Sequence, residues 1–382
     1  MTSSQPVKTT QGNIDPNIID LGVGHPQNKF LPLELLQKAA LTRFNNGDPY
    51  FLQYGTRQGD GYLRLALAEF LSQQYREPVD ASCLFITNGA SMGLALACSL
   101  FTQPGDIILV EEPSYFLALK VFADYHLTPI AIPMDSNGLV IEGLEEVLKR
   151  HKPSMLYTIP TFQNPSGITL SQERRVRLVE LSKSHNFLIV ADEVYHFLNY
   201  STPSPQTMAA YIEQGNVLSL GSFSKILAPG LRTGWIHTDP KRIHILIESG
   251  LLDSGGGMNP FTSAILRGVL ENGGLEANIN DLRQSYTSRL TVLDRALRQY
   301  LPNAQFQTPQ GGYFFWVQIP GIKDTGDYLE SAKTQHRVMF NPGSRFSSRS
   351  GLRDYMRLCF AYYEEPELEE GVRRLRDIFS IS

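Results

Sequence analysis

The sequence predicts an α/β protein, and three observations carry that prediction. Short apolar runs rich in β-branched residues recur from residue 84 to residue 237, and amphipathic stretches separate them. Beyond about residue 240 the pattern changes to long helical periods and two alternating strands. Strand–helix–strand alternation in the first part implies a mostly parallel sheet sandwiched by helices. The later part reads as a smaller α+β unit.

The apolar runs are 84–87, 107–110, 129–132, 155–159, 187–191, 217–220 and 234–237, which makes a seven-stranded sheet. Most are uninterrupted rather than alternating, the pattern of strands covered on both faces. Helices are expected at 62–74, 91–101, 115–124, 141–151 and 172–185. Ser171 is an N-cap for the last of these, and Glu173 suits its positive end. Further on, helices are expected at 240–252, 260–272, 275–299 and 366–379, and strands at 312–319 and 355–361. The first 20 residues read as an irregular arm.

Composition bounds the function. The 382 residues carry 34 basic and 38 acidic side chains, a net charge of −4. A dedicated nucleic-acid binder would show a basic surplus. With 42% hydrophobic and 19% charged residues the chain can bury a core, so disorder is excluded. The three cysteines, Cys83, Cys98 and Cys359, form neither a metal spacing nor a disulfide framework and fit a reducing cytoplasm. The polar N-terminus, MTSSQPVKTTQGN, shows no signal peptide. The longest apolar stretch, 92–101, is about half a membrane span. The eight histidines show no metal-binding spacing.

Segment 218–235, LSLGSFSKILAPGLRTGW, is the most specific. Lys225 follows Ser222 and Ser224 on a turn after a strand, and Arg232 lies seven residues on. Two hydroxyls and a guanidinium around one lysine suit a phosphorylated cofactor beside an amine nucleophile. Asp192 ends the apolar run 187–191, at the strand edge where α/β sheets place ligands. In isolation it reads equally as a helix cap. TNGASMG at 87–93 opens a helix directly after a strand, and small residues there let a phosphate approach the free N–H groups. It is neither a GxGxxG fingerprint nor a P-loop. TFQNPSG at 161–167 is by itself turn chemistry. The glycines at 255–257 read as a flexible loop.

Together, in this order and spacing, these motifs resemble the pyridoxal-phosphate (PLP) aminotransferases of fold type I, in the aspartate aminotransferase superfamily. The nearest branch is that of the 2-aminoadipate, kynurenine and aromatic aminotransferases, and the resemblance runs from about Leu21 to the C-terminus. It implies a large PLP-binding domain at 46–285 and a small domain built from 1–45 and 286–382. Lys225 would form the Schiff base with PLP and shuttle the substrate Cα proton. Asp192 would hold the ring nitrogen protonated, with Tyr195 and Asn164 bonded to the phenolic oxygen. Ala90 and Ser91, with Met92 as a candidate third N–H, would bind the phosphate alongside Ser222, Ser224 and Arg232. Tyr115 would stack on the ring, and Tyr54, in QYGTRQG at 53–59, would reach the phosphate of a neighbouring subunit in a homodimer. Arg357 would grip the substrate carboxylate, with Gly24 and Asn164 beside it. His25 lines the side-chain pocket or is an ordinary loop residue, and the sequence favours neither. A cis peptide is implied at Asn164–Pro165, and the same is expected at Glu112–Pro113. Glu193 reads as structural.

The reaction implied is transfer of an amino group from an L-amino acid to a 2-oxo acid. A PLP-dependent β-elimination lyase is the first alternative, because the fate of a common carbanion rests on small pocket changes. A non-enzymatic aminotransferase-like effector is the second, against which the short, weakly basic N-terminal arm argues. No arginine precedes Arg43 and none lies between Arg242 and Arg267, so aromatic or aliphatic donors are favoured over dicarboxylates. Lys29 and Arg57 remain possible sources of a second charge. Neither nucleic acid nor membrane is an expected partner.

Overall fold

The computed structural model describes residues 14–201 and 204–379. Its centre is a sheet of eight strands. In spatial order these are Leu84–Thr87, Gly234–Thr238, Val217–Ser222, Leu188–Asp192, Met155–Thr158, Ile107–Glu112, Thr128–Asp135 and Gly138–Leu139. The seven expected strands are all present. The eighth, a two-residue strand returning antiparallel from Thr128–Asp135, corrects the expected count. Gly234–Thr238 runs antiparallel to both its neighbours, and the inner strands pair parallel.

The uninterrupted apolar runs are explained by burial on both faces. Leu156, Ile189 and Val217 point into one core, with Leu144 and Leu178 from the covering helices. Their sequence neighbours Tyr157, Val190 and Leu218 point into the other, with Leu94, Leu266 and Leu282. This period of two is the strand geometry that the sequence hid by being apolar at every step.

Helices Gly61–Tyr75, Ala90–Phe101, Phe116–Asp124, Ile141–Leu148 and Gln172–His185 match expectation within a few residues. Ser171 caps the last by accepting from the Arg174 N–H at 3.3 Å, and Asn186 closes it in the left-handed conformation at φ 56°. The expected helix 240–252 is two, Pro240–Ile247 and Gly250–Gly255, interrupted at Glu248–Ser249. Two helices were not expected, the short Leu329–Thr334 and Leu33–Asn45, the latter packing on Pro260–Glu271.

The 27-residue helix Gly274–Tyr300 leads into a second, antiparallel sheet of Phe314–Gln318, Tyr355–Cys359 and Asn341–Pro342. The helix Glu365–Phe379 packs along Gly274–Tyr300. Residues 1–13 of the expected irregular arm lie outside the described residues. Its end is not irregular: Ile19–Asp20 pairs parallel with Val338–Met339. That pairing brings the N-terminal segment to the second sheet, where it meets Arg357.

Candidate active site

The C-terminal edge of the large sheet, the middle of the second sheet and the N-terminal segment converge on Lys225. The strand Val217–Ser222 delivers this lysine, and a turn held by the Phe223 N–H to the Thr233 carbonyl, at 3.1 Å, fixes it. The Ser222 hydroxyl accepts the Ser224 N–H at 3.1 Å, so it shapes the same turn. Lys225 Nζ is buried and donates to the Gly24 carbonyl at 2.9 Å. It lies 5.7 Å from the centre of the Tyr195 ring and 5.3 Å from that of Tyr313. Burial, reinforced by the cations Arg357 and Arg232, pushes the amine down to about 8.

Asp192 closes its strand as expected, fully enclosed. Burial pushes its carboxyl up to about 6, against the Tyr157 hydroxyl bonded to it at 2.9 Å and the charge of Lys225. Its Oδ1 is buried with no partner among the described residues. The neighbouring Glu193 points elsewhere. It accepts from the Ser219 hydroxyl at 2.7 Å and the Met208 N–H at 3.0 Å, with buried Arg175 at 3.9 Å. Glu193 is therefore structural, as expected.

The first turn of Ala90–Phe101 is a cradle for an anion. Gly89 precedes it at φ 85°, no side chain caps the helix, and the N–H groups of Ala90, Ser91 and Met92 open the turn. Arg232 leans over the same turn, its Nη2 only 2.8 Å from where a Gly89 Cβ would stand. It donates weakly, at 3.3 Å, to the Asn88 and Pro229 carbonyls.

Arg357, at the centre of Tyr355–Cys359, is 3% exposed. Its guanidinium lies 4.0 Å from the Phe314 ring centre and 5.1 Å from that of Phe346. It donates to Asn164 Oδ1 at 2.9 Å and to the Gly22 carbonyl at 2.7 Å, while Nε has no partner among the described residues. The alternating strand thus turns its arginine inward. Gly24 is close enough that a Cβ would meet Arg357 Nη2 at 3.5 Å. Tyr115 precedes helix Phe116–Asp124 and senses the charges of Asp192 and Arg357. Both expected cis peptides, Glu112–Pro113 and Asn164–Pro165, are present.

Among the described residues, Lys225, Arg232 and Arg357 are in no ion pair within 4.0 Å. Three uncompensated cations, an unbonded carboxylate oxygen and an uncapped helix start form a built site for an anion bearing a protonated nitrogen. That donor set fits pyridoxal phosphate.

Two further residues lie at the margin of this constellation. Tyr54 is 85% exposed and belongs to the surface of the single chain. His25 lies near the site, bonded to the Pro26 carbonyl at 3.3 Å and edge-on to Tyr362 at 5.2 Å; burial and Lys225 lower its pKa. The expectation of a flexible loop at 255–257 is corrected. Gly255 ends a helix, and Gly257 bridges Gly55 so closely that any Cβ would overlap the Thr56 carbonyl. Four site residues escaped the sequence reading: Tyr157, Tyr313, Phe314 and Phe346. The Gly-Gly-Tyr-Phe run at 311–314 was the available signal for two of them.

Comparison with known proteins agrees. A family model described as aminotransferase class I and II matches residues 16–375. The aromatic-amino-acid aminotransferase 1 of Thermococcus litoralis is 36% identical, over 94% of this chain and 88% of its own. A crystal structure of a multiple substrate aminotransferase from Thermococcus profundus superposes with a TM-score of 0.90 at 34% identity, covering 96% of this chain and 92% of that one. The Pyrococcus horikoshii kynurenine aminotransferase, solved with PMP, gives 0.90 and 34%, covering 96% and 91%. The chain therefore belongs to the class I and II aminotransferases, fold type I enzymes that work with pyridoxal phosphate.

Proposed function

We propose that this enzyme moves an amino group from an aromatic or aliphatic L-amino acid to a 2-oxo acid, with Lys225 as the residue that holds the cofactor. One observation carries the reading: among the described residues, a buried amine has no carboxylate within ion-pair distance and is set between two uncompensated arginines and a carboxylate whose Oδ1 has no partner. When bound, pyridoxal phosphate supplies an electrophilic carbon and a ring that withdraws electrons from the substrate Cα.

The chain's own residues do the rest. Ala90, Ser91, Met92, Ser222, Ser224 and Arg232 bind the phosphate. Tyr115 would hold the cofactor ring, Asp192 its protonated nitrogen, and Tyr195 and Asn164 its phenolic oxygen. Arg357 holds the substrate carboxylate in its planar fork, which orients the Cα–H bond for Lys225 Nζ to remove and return the proton. The Gly22 and Gly24 carbonyls now accept from Arg357 and Lys225 and would yield those donors to the substrate and the cofactor.

Aromatic walls support the substrate preference. Phe314 and Phe346 flank Arg357, and the two other cations considered are already paired, Lys29 with Glu364 at 2.5 Å and Arg57 with Asp253 at 2.7 Å. Arg345, unweighed in the sequence, stacks 4.4 Å from the Phe116 ring centre and contributes to the field at Arg357. A panel of donors against 2-oxo acids tests this preference. Faster turnover of aminoadipate than of phenylalanine and leucine would overturn the donor preference. Pyruvate and ammonia released without amino transfer would point to the lyase alternative, which no observation favours.

A homodimer sharing its active sites suits the surface. Phe44, Tyr50, Leu52, Tyr54 and Phe261, with half-buried Phe51 among them, form an exposed apolar band next to Gly55–Gly257. Tyr54 then completes a partner's phosphate site. The separate antiparallel sheet, reached by the N-terminal strand, supports a division into 46–285 and the two chain ends. Three free, buried cysteines suit the cytoplasm, and no described helix is long and apolar enough to cross a membrane.

A further inference from the structure

The sequence gives no hint that Tyr157 matters, since it sits inside an apolar strand. In the structure it occupies the middle of the sheet, paired with Val190 on one side and Val110 on the other. It is fully buried, with its ring edge-on to Phe122 at 5.5 Å. A phenol hydroxyl in such surroundings must find an acceptor. It finds Asp192 Oδ2 at 2.9 Å. The Val194 N–H also acts to hold this carboxyl's pKa down, and Oδ1 has no hydrogen-bond partner among the described residues.

We propose that Tyr157 is a positioning residue for the transamination site: it occupies Asp192 Oδ2 and so leaves Oδ1 as the oxygen presented to the cofactor's ring nitrogen. The inference rests on the assignment of Asp192 to that nitrogen. A phenylalanine would fill the same space in the strand and leave both oxygens free to turn. The groups that bear on Asp192 are few. Lys225 faces it from the turn after Val217–Ser222, Glu193 lies beside it, and the hydroxyls of Tyr115, Tyr195 and Tyr157 surround it. Tyr157 is the strongest of the influences that oppose burial there. Losing its hydroxyl therefore raises the proton affinity of the carboxylate, by about ten- to hundredfold for one hydrogen bond to a charged group.

The test compares wild type, Tyr157→Phe, Asp192→Asn and the double variant. Apoprotein is titrated with pyridoxal phosphate from about pH 5.5 to 8 and binding is followed by absorbance. The acid-side midpoint for cofactor affinity should move up by about one to two pH units in Tyr157→Phe, with affinity recovering toward pH 8. In the Asp192→Asn background the same change should have no further effect. An unmoved midpoint, or an equal loss in both backgrounds, would overturn the proposal by reducing Tyr157 to packing. A wild-type protein that binds normally while Asp192→Asn also binds normally at every pH would instead overturn the assignment of Asp192 on which it rests.

Discussion

The depressed pKa of Lys225 makes the sharpest quantitative prediction. The amine is enclosed, and desolvation is the largest influence lowering it from 10.5 to about 8, with Arg357 and Arg232 adding to it. At about pH 7.5 an amine at pKa 8 is roughly one-quarter neutral, whereas one at 10.5 is about one part in a thousand neutral. Burial thus raises the nucleophilic fraction by roughly 200-fold. The rate at which apoprotein takes pyridoxal phosphate onto Lys225, followed by its visible band from about pH 6 to 10, should rise tenfold per unit and level off near pH 8. Arg357→Leu should move that limb upward only in part, since desolvation remains. A rate still rising tenfold per unit beyond about pH 9.5 would show that the amine is ordinary and refute the argument. The same shift has a stability consequence. Between about 8 and 10.5 the folded chain binds less proton here than the unfolded chain, so this contribution favours folding at high pH and is lost as pH falls through about 8.

Other expectations follow from the same geometry. Arg357→Leu should lower kcat/KM for amino acids by about 10²- to 10³-fold, the loss expected when one partner of a buried charged pair is removed. Turnover of a primary amine lacking the carboxylate should fall far less, by no more than the shift at Lys225 accounts for, and equal losses on both would place Arg357 outside the substrate site. Gly89→Ala forces a φ of 85° on a residue with a Cβ 2.8 Å from Arg232 Nη2, so cofactor affinity should fall by about tenfold or more in a binding titration. Unchanged affinity would remove the helix start from the phosphate site. Phe261→Asp puts a charge among Phe44 and Phe51 and should yield monomers in sedimentation, with a wild type already monomeric excluding the shared-site dimer.

The seven main strands were readable because each is apolar at every position, a demand of burial on both faces. Their spatial order was not readable, and that order decides the site. Met155–Thr158 lies beside Leu188–Asp192, so Tyr157 meets a carboxylate 35 residues away in sequence. The helix Leu33–Asn45 was missed because its apolar residues divide between two surfaces. Ala39 is buried against Pro260–Glu271, whereas Leu33, Leu41 and Phe44 face outward on the single chain. No single stripe results. Asp192 and Arg357 stand out because each is a charge at the end of, or inside, an otherwise apolar strand. Lys225 and Asn164 lie on turns, and only the order and spacing of the motifs around them made them legible. Tyr313 and Tyr157 do not stand out, because tyrosine is at home in a core.

Lys225 is the residue proposed to carry the cofactor. Borohydride reduction of the holoenzyme, followed by proteolysis and mass spectrometry, tests this most directly. The phosphopyridoxyl group should be found on the peptide containing Lys225, and Lys225→Ala should lose both the label and the visible band. A label on another lysine, with the band intact in Lys225→Ala, would contradict the account.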